Sequence, residues 1–208
     1  MPDIATAMAD IFCEIPTLNI RCDVYDPDTL KPYVRDPRAV TRRVEAYIAQ
    51  SGIADVCNFG QEFEFFIFDN VRFDKQVNGC FYEVDAEEAA WNTGLKSENG
   101  NMGHRPRQKG GYFPVPPVDS SHDLRGAMCQ ALKAMRIIPE VHHHEVACGQ
   151  SEITTRYKQP LEKSDEMLDF KYVVHNIAHA HNKTVTFMPK PLVGDNGSGL
   201  HCHQSLSK

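Results

Sequence analysis

Three segments of this 208-residue chain set carboxylates and imidazoles at intervals of two. In Phe59-Gly60-Gln61-Glu62-Phe63-Glu64-Phe65-Phe66-Ile67-Phe68-Asp69, an extended backbone turns Glu62 and Glu64 to one side and Phe63, Phe65 and Ile67 to the other. So apolar a strand is buried on its phenylalanine side, and its acids need a cation, a basic partner or open solvent, because desolvating an unpaired carboxylate is costly. In Glu140 to Ile153, an extended start puts His143 and Glu145 on one face, and a bend at Gly149 returns Glu152 to the same neighbourhood. In Thr186 to Leu206, the loop Gly194-Asp195-Asn196-Gly197-Ser198-Gly199 offers backbone freedom and exposed N–H groups to an anionic ligand. It precedes a stretch in which His201, His203 and Ser205 share a face while Leu200, Cys202 and Leu206 turn to the core. Glu62, Glu64, Glu145 and Glu152 with one imidazole describe an oxygen-rich site for Mg²⁺ or Mn²⁺; zinc suits it less, since the chain has no Cys-x-x-Cys pair. An edge strand with solvated acids and a hairpin with core histidines are the alternatives these residues leave open.

The elements that must position these groups are mixed α and β, without repeats. Asp36 caps a helix whose first turn holds Pro37; Val40, Val44 and Ile48 recur along it, and Gly52 ends it. Glu62 to Phe68 is a strand. Residues 85–111 read as a long polar loop or flap, broken at Asn99-Gly100 and Gly110-Gly111 and closed stiffly by Val115-Pro116-Pro117. Ser121 caps a second helix with Leu124, Met128, Leu132 and Met135 on its core face, and Met167, Phe170, Val174 and Ile177 mark a third. His175, His179 and His181 on that third helix are surface or interhelical groups.

With 41% hydrophobic and 24% charged residues the composition is that of a globular chain, and the net charge of −6 argues against nucleic-acid binding, which needs a basic face. There is no 18-residue apolar run to span a membrane, and residues 1–10 lack the basic start and apolar stretch of a secretory signal. The seven cysteines are scattered through apolar or mixed segments, as reduced core thiols are, and a cytoplasmic location is expected.

Taken in order, the three segments resemble glutamine synthetase of the long bacterial type. So do Pro16-Thr17-Leu18 through Cys22-Asp23-Val24-Tyr25-Asp26-Pro27, Lys109-Gly110-Gly111-Tyr112-Phe113-Pro114-Val115-Pro116-Pro117 and Lys171-Tyr172-Val173-Val174. The resemblance implies an α+β fold: residues 36–208 form the N-terminal part of a catalytic domain with an antiparallel sheet and flanking helices. Residues 1–35 are the remnant of an N-terminal β-grasp domain and its linker. It implies ATP-dependent phosphorylation of the glutamate side-chain carboxylate followed by amidation with ammonia, two or more Mg²⁺ or Mn²⁺ ions, and homo-oligomeric rings. Glu64, Glu145 and Glu152 match the ligands of one ion, and Glu62 and His201 two ligands of the second. Tyr112, Asn196, Gly197 and His201 match residues of the glutamate region, and Glu140, Tyr157, His203 and Ser205 positions near the nucleotide.

The resemblance also carries departures. The family's substrate arginines, a further glutamate ligand of the second metal and the closing flap are expected beyond Lys208, so the apolar face of the His201 strand is expected to be left uncovered. Glu145 and Glu152 are seven apart where the family pattern gives eight, and a one-residue shift in an extended segment reverses every later side chain, so Glu152 misses the metal unless the bend absorbs the change. Gln61 and Phe63 stand where proline is common in relatives. Two other readings follow: a remnant that retains metal or nucleotide binding without catalysis, and a ligase joining glutamate to a larger amine.

Overall fold

A computed structural model describes residues 1–92 and 100–208. The described residues order as β1 (Met8–Ala9), β2 (Leu18–Asn19), α1 (Pro37–Ser51), β3 (Val56–Phe68), β4 (Asn70–Gln76), β5 (Gly79–Asp85), α2 (His122–Ala134), β6 (Pro139–His144), β7 (Gln150–Thr155), α3 (Pro160–Ala180), β8 (Thr184–Thr186) and β9 (Leu200–Ser207). The fold is α+β, as expected. Part of the loop expected at 85–111 lies outside the described residues; residues 101–121 carry neither helix nor strand. The β4–β5 hairpin, turning at Val77-Asn78, has no counterpart in the sequence reading.

The main sheet is antiparallel and is built on β3, which is thirteen residues long. One edge of β3 pairs with β7, which in turn pairs with β6. Its other edge is shared, with residues 56–63 pairing with β9 and residues 66–68 with β8. Helices α2 and α3 cover one face, where Phe63, Phe65, Ile67 and Ile153 pack with Met128, Leu132, Met135, Phe170, Val173 and Val174. Phe63 stacks on Phe170 with ring centroids 4.0 Å apart. The helical stripes expected at Leu124 to Met135 and Met167 to Ile177 thus supply the core, while His175, His179 and His181 are exposed.

Asp36 caps α1 by accepting from the Ala39 N–H, and Gly52 ends it at φ 68°. Its Val40 and Val44 are nevertheless about half exposed, at 43% and 42%, because the helix packs through Ala39 and Arg38. Ser121 precedes α2 but makes no side-chain cap; its hydroxyl accepts instead from Arg125. All seven cysteines are free. The side of β9 that alternation turns toward the core is exposed, with Leu200 and Leu206 at 48% and 54% and Cys202 exposed, which agrees with the expected uncovered apolar face and not with burial. Helices α2 and α3 lie against β3, β6, β7 and β8, so the alternation of β9 holds but its second face meets no packed layer among the described residues.

Ion pairs fasten residues 1–35 to this frame. Arg38 on α1 makes two hydrogen bonds to Asp165 of α3, at 3.0 and 2.9 Å, and also holds Asp3 at 2.8 Å and Asp23; Arg21 pairs with Asp169. The Arg38 hydrogen bond keeps the Asp3 carboxyl below its ordinary range. A depressed carboxylate stabilises the fold above its unfolded pKa and loses that contribution as pH falls through the folded value. We therefore expect acid-protease cleavage within residues 1–35 to begin only as pH drops below about 4. In Arg38→Met the same cleavage should already occur at pH 5.

Candidate active site

The register of the sheet sets one row of side chains across three strands. On β3, Glu64 is the partner of Glu152 on β7, and Glu152 is the partner of His143 on β6. On the other edge Glu62 is the partner of His201 on β9. These residues lie on the face opposite Phe63 and Phe65, so the alternation that buries the aromatics also gathers the acids.

His143 sits between two carboxylates, with Nδ1 3.6 Å from Glu145 Oε1 and Nε2 3.6 Å from Glu152 Oε2. One donor atom from each of His143, Glu145 and Glu152 lies within 4.8 Å of the others, and all three residues are partly or fully buried. Burial pushes the Glu145 carboxyl up, and the Glu64 charge adds to that push. Burial acts on Glu152 in the same sense, but the His143 ring 3.6 Å away outweighs it and holds this carboxyl low. The neighbouring Glu152 carboxylate in turn raises His143. Beside this trio, Glu64 accepts from Gln150 Nε2 at 2.9 Å and faces His201 Nε2 at 3.5 Å, while His203 Nε2 lies 2.7 Å from Glu62. Two carboxylates and an imidazole converging with a third carboxylate alongside is a donor set suited to a hard divalent cation.

The seven-residue spacing does not reverse Glu152. Glu145 to Gly149 form a bend between β6 and β7, and on β7 Glu152 faces the row, paired with Glu64 and His143. The bend turns at Gly149, whose φ is +70°, and its carbonyl accepts from the Ile67 N–H at 2.8 Å. Its three histidines go to three places. His142 lies beside His122 and accepts from Arg125 Nε at 3.4 Å, His143 enters the acidic row, and His144 is fully buried against Glu88.

The residues matched to the nucleotide and glutamate regions form two further groups. Glu140, Tyr157, His203 and Ser205 line one cleft of about 240 Å³ together with Asn58, Gly60 and Thr154. A bulge between Pro139 and Val141 falls at Glu140. Gly60 leaves room for Tyr157, whose Cβ is 3.6 Å from where a Gly60 side chain would begin. Tyr112 is exposed and meets His143 edge-on at 5.9 Å. Asn196 and Gly197 lie in the loop that leads to Gly199, where a Cβ would stand 3.1 Å from both Glu64 Oε1 and His201 Nε2.

The catalytic-domain model of glutamine synthetase matches residues 34–208. The chain belongs to that family. It is 58% identical to the glutamine synthetase of Methylococcus capsulatus and 54% identical to that of Escherichia coli K12, in each case over 100% of this chain and 45% of the relative. A cryo-electron-microscopy structure of Plasmodium falciparum glutamine synthetase superposes with a TM-score of 0.87 at 33% identity, covering 98% of this chain and 40% of that one. A structure described as apo GmaS without ligand shares the fold, with a TM-score of 0.68 at 23% identity. The chain thus spans about half the length of the relatives it matches.

The alternation that sets His143 on one face with Glu145 already separates it from its two neighbours, and the pairing of β6 with β7 adds that it stands beside Glu152. One contributor went unseen in the sequence: Glu88 reaches His144 across 56 positions, and no local pattern announces that. The bend itself gives a test: a Cβ at Gly149 would stand 2.6 Å from the Ile67 carbonyl oxygen, at a φ that L-residues avoid. Gly149→Ala is expected to destabilise the chain by more than the about 1 kcal/mol of backbone strain alone, read as a lowered denaturation midpoint.

Proposed function

We propose that this chain is part of a glutamate–ammonia ligase, which uses ATP to phosphorylate the side-chain carboxylate of glutamate and then lets ammonia displace the phosphate. Residues 36–208 belong to its catalytic domain, and residues 1–35 to the end of an N-terminal β-grasp domain with its linker. The observation that carries the reading is the row Glu64, Glu152 and His143 across three strands, with Glu145 closing on it. Glu64, Glu145 and Glu152 would hold one Mg²⁺ or Mn²⁺ ion, and Glu62 and His201 would hold a second. Such ions, when bound, neutralise the oxygens of two anionic substrates so that phosphoryl transfer is promoted by placement and charge.

The chain's own groups would do the rest by position. Tyr112, Asn196 and Gly197 border the glutamate, with His201 both ligand and substrate contact. The cleft of Glu140, Tyr157, His203 and Ser205 receives the nucleotide. His203 joins the two regions, since it lines that cleft and also reaches Glu62 at 2.7 Å. Of the two features that favoured a remnant without catalysis, the short bend and the absent substrate arginines, the pairing of Glu152 with Glu64 weakens the first. Assembly into homo-oligomeric rings and a cytoplasmic location belong to the same proposal; among the described residues, no helix is long and apolar enough to cross a membrane.

Two measurements test this. In a Mn²⁺ titration, Glu64→Ala is expected to weaken binding at least tenfold, and an unchanged affinity would overturn the assignment of the acidic row. In the native protein that carries this segment, phosphate release from ATP should require glutamate and ammonium together. A clear preference for a small primary amine over ammonium would sink the ammonia assignment and favour a glutamate–amine ligase.

A further inference from the structure

Glu88 stands outside the acidic row, just after β5, and is 4% exposed. Its carboxylate gathers donors from three parts of the chain. Oε1 receives the Gly149 N–H and lies 2.7 Å from His144 Nε2, and Oε2 accepts from Ser120 Oγ at 2.8 Å. His144 directly precedes Glu145, and Gly149 stands three positions before Glu152. One buried carboxylate therefore grips both ends of the bend that separates two of the proposed ligands.

From Glu88 two short chains of contacts reach Glu145 and Glu64, and the second also fixes the bend three positions before Glu152. The first runs through His144, whose other ring nitrogen lies 2.6 Å from the Glu145 carbonyl and 2.9 Å from that of Gly111. Both His144 nitrogens thus face oxygen acceptors, and the ring donates at each. The second runs through the Gly149 amide into Gln150. The Gln150 carbonyl accepts from the Glu145 N–H at 2.8 Å, and its side chain donates to Glu64 at 2.9 Å and accepts from the Ala147 N–H at 3.0 Å. These bonds close the bend from Glu145 to Gln150 on itself.

We infer that Glu88 is a positioning residue of the metal centre, fixing the shortened bend so that Glu145 and Glu152 converge. The inference rests on the metal-centre reading above. Groups that orient metal ligands from behind commonly affect affinity by about 10–100-fold when removed. Glu88→Ala leaves the His144 ring, the Gly149 amide and Ser120 without their acceptor. Glu88→Gln keeps the shape and one acceptor oxygen but loses the charge.

The test is Mn²⁺ affinity of the whole chain, measured by titration alongside thermal midpoints, for Glu88→Ala, Glu88→Gln, Glu64→Ala and the core variant Val173→Ala. Glu88→Ala is expected to bind at least tenfold more weakly and Glu88→Gln to fall between it and the unaltered chain. Val173→Ala should be destabilised with its affinity kept. Unchanged affinity in Glu88→Ala, or an equal loss in Val173→Ala, overturns the positioning role while Glu64→Ala still upholds the metal centre. Should Glu88→Ala fail to fold, Glu88→Gln decides alone: a loss of threefold or more supports the role, and an affinity equal to the unaltered chain overturns it. Equal binding in Glu64→Ala and the unaltered chain overturns the metal-centre reading, and the positioning role falls with it.

Discussion

The site depends on the burial of one face of β3. Phe63, Phe65 and Ile67 are nearly without exposure beneath α2 and α3, and the strand's period of two leaves Glu62 and Glu64 no place except the opposite face. Burying such side chains contributes about 1.5–3 kcal/mol each. Two unit charges 4 Å apart repel by roughly 1–4 kcal/mol between water and the effective dielectric of a protein surface. The aromatic face therefore outweighs the repulsion and holds the acids together in a way the acids alone would not.

Behind the acidic row stands a layer of buried charge that reaches no ligand directly. Arg125 on α2 is fully buried, pairs with Asp119 and donates to Ser151 Oγ at 3.3 Å, next in sequence to Glu152. Glu88 and His144 hold the other end of the same bend. Burial disfavours both charges of that pair, yet their hydrogen bond and mutual attraction draw Glu88 down and His144 up. Pairs of this kind are costly to break singly, because the partner left behind is a buried charge. The row is thereby fixed from the strand side by apolar packing and from the bend side by paired ions.

Local physics decides which of these features the sequence displays. The capped start at Asp36-Pro37, the alternation at Glu62 to Ile67 and the stripes of α2 and α3 are periodic or positional signals, and each became the expected element. The exposed Val40 and Val44 show the limit of such a signal. Spacing declares a helix, but the face it turns inward is set by partners far along the chain, here Asp165 and Asp3 around Arg38. The alternation of β9 was legible for the same reason as that of β3, and its Leu200 side stands exposed because burial needs a covering layer. Counting from Glu145 to Glu152 left two outcomes open, a reversal along an extended run or absorption by the bend. A bend between two strands absorbs a residue at little cost to register, and the shortened spacing is harmless to facing for that reason.

The two edges of β3 also differ in how far along the chain their partners lie. The trio of His143, Glu145 and Glu152 and its β3 neighbour Glu64 are all present by the end of β7, with Gln150 reaching Glu64 from 86 positions away. His203 meets Glu62 across 141 positions, after α3 and β8 have intervened. A chain emerging from its N-terminus therefore has the acids and one imidazole of the site in hand before the strand that carries His201 and His203 exists. Of the pairings of β3, the long edge contact of β9 is the one whose loop closure spans the most chain.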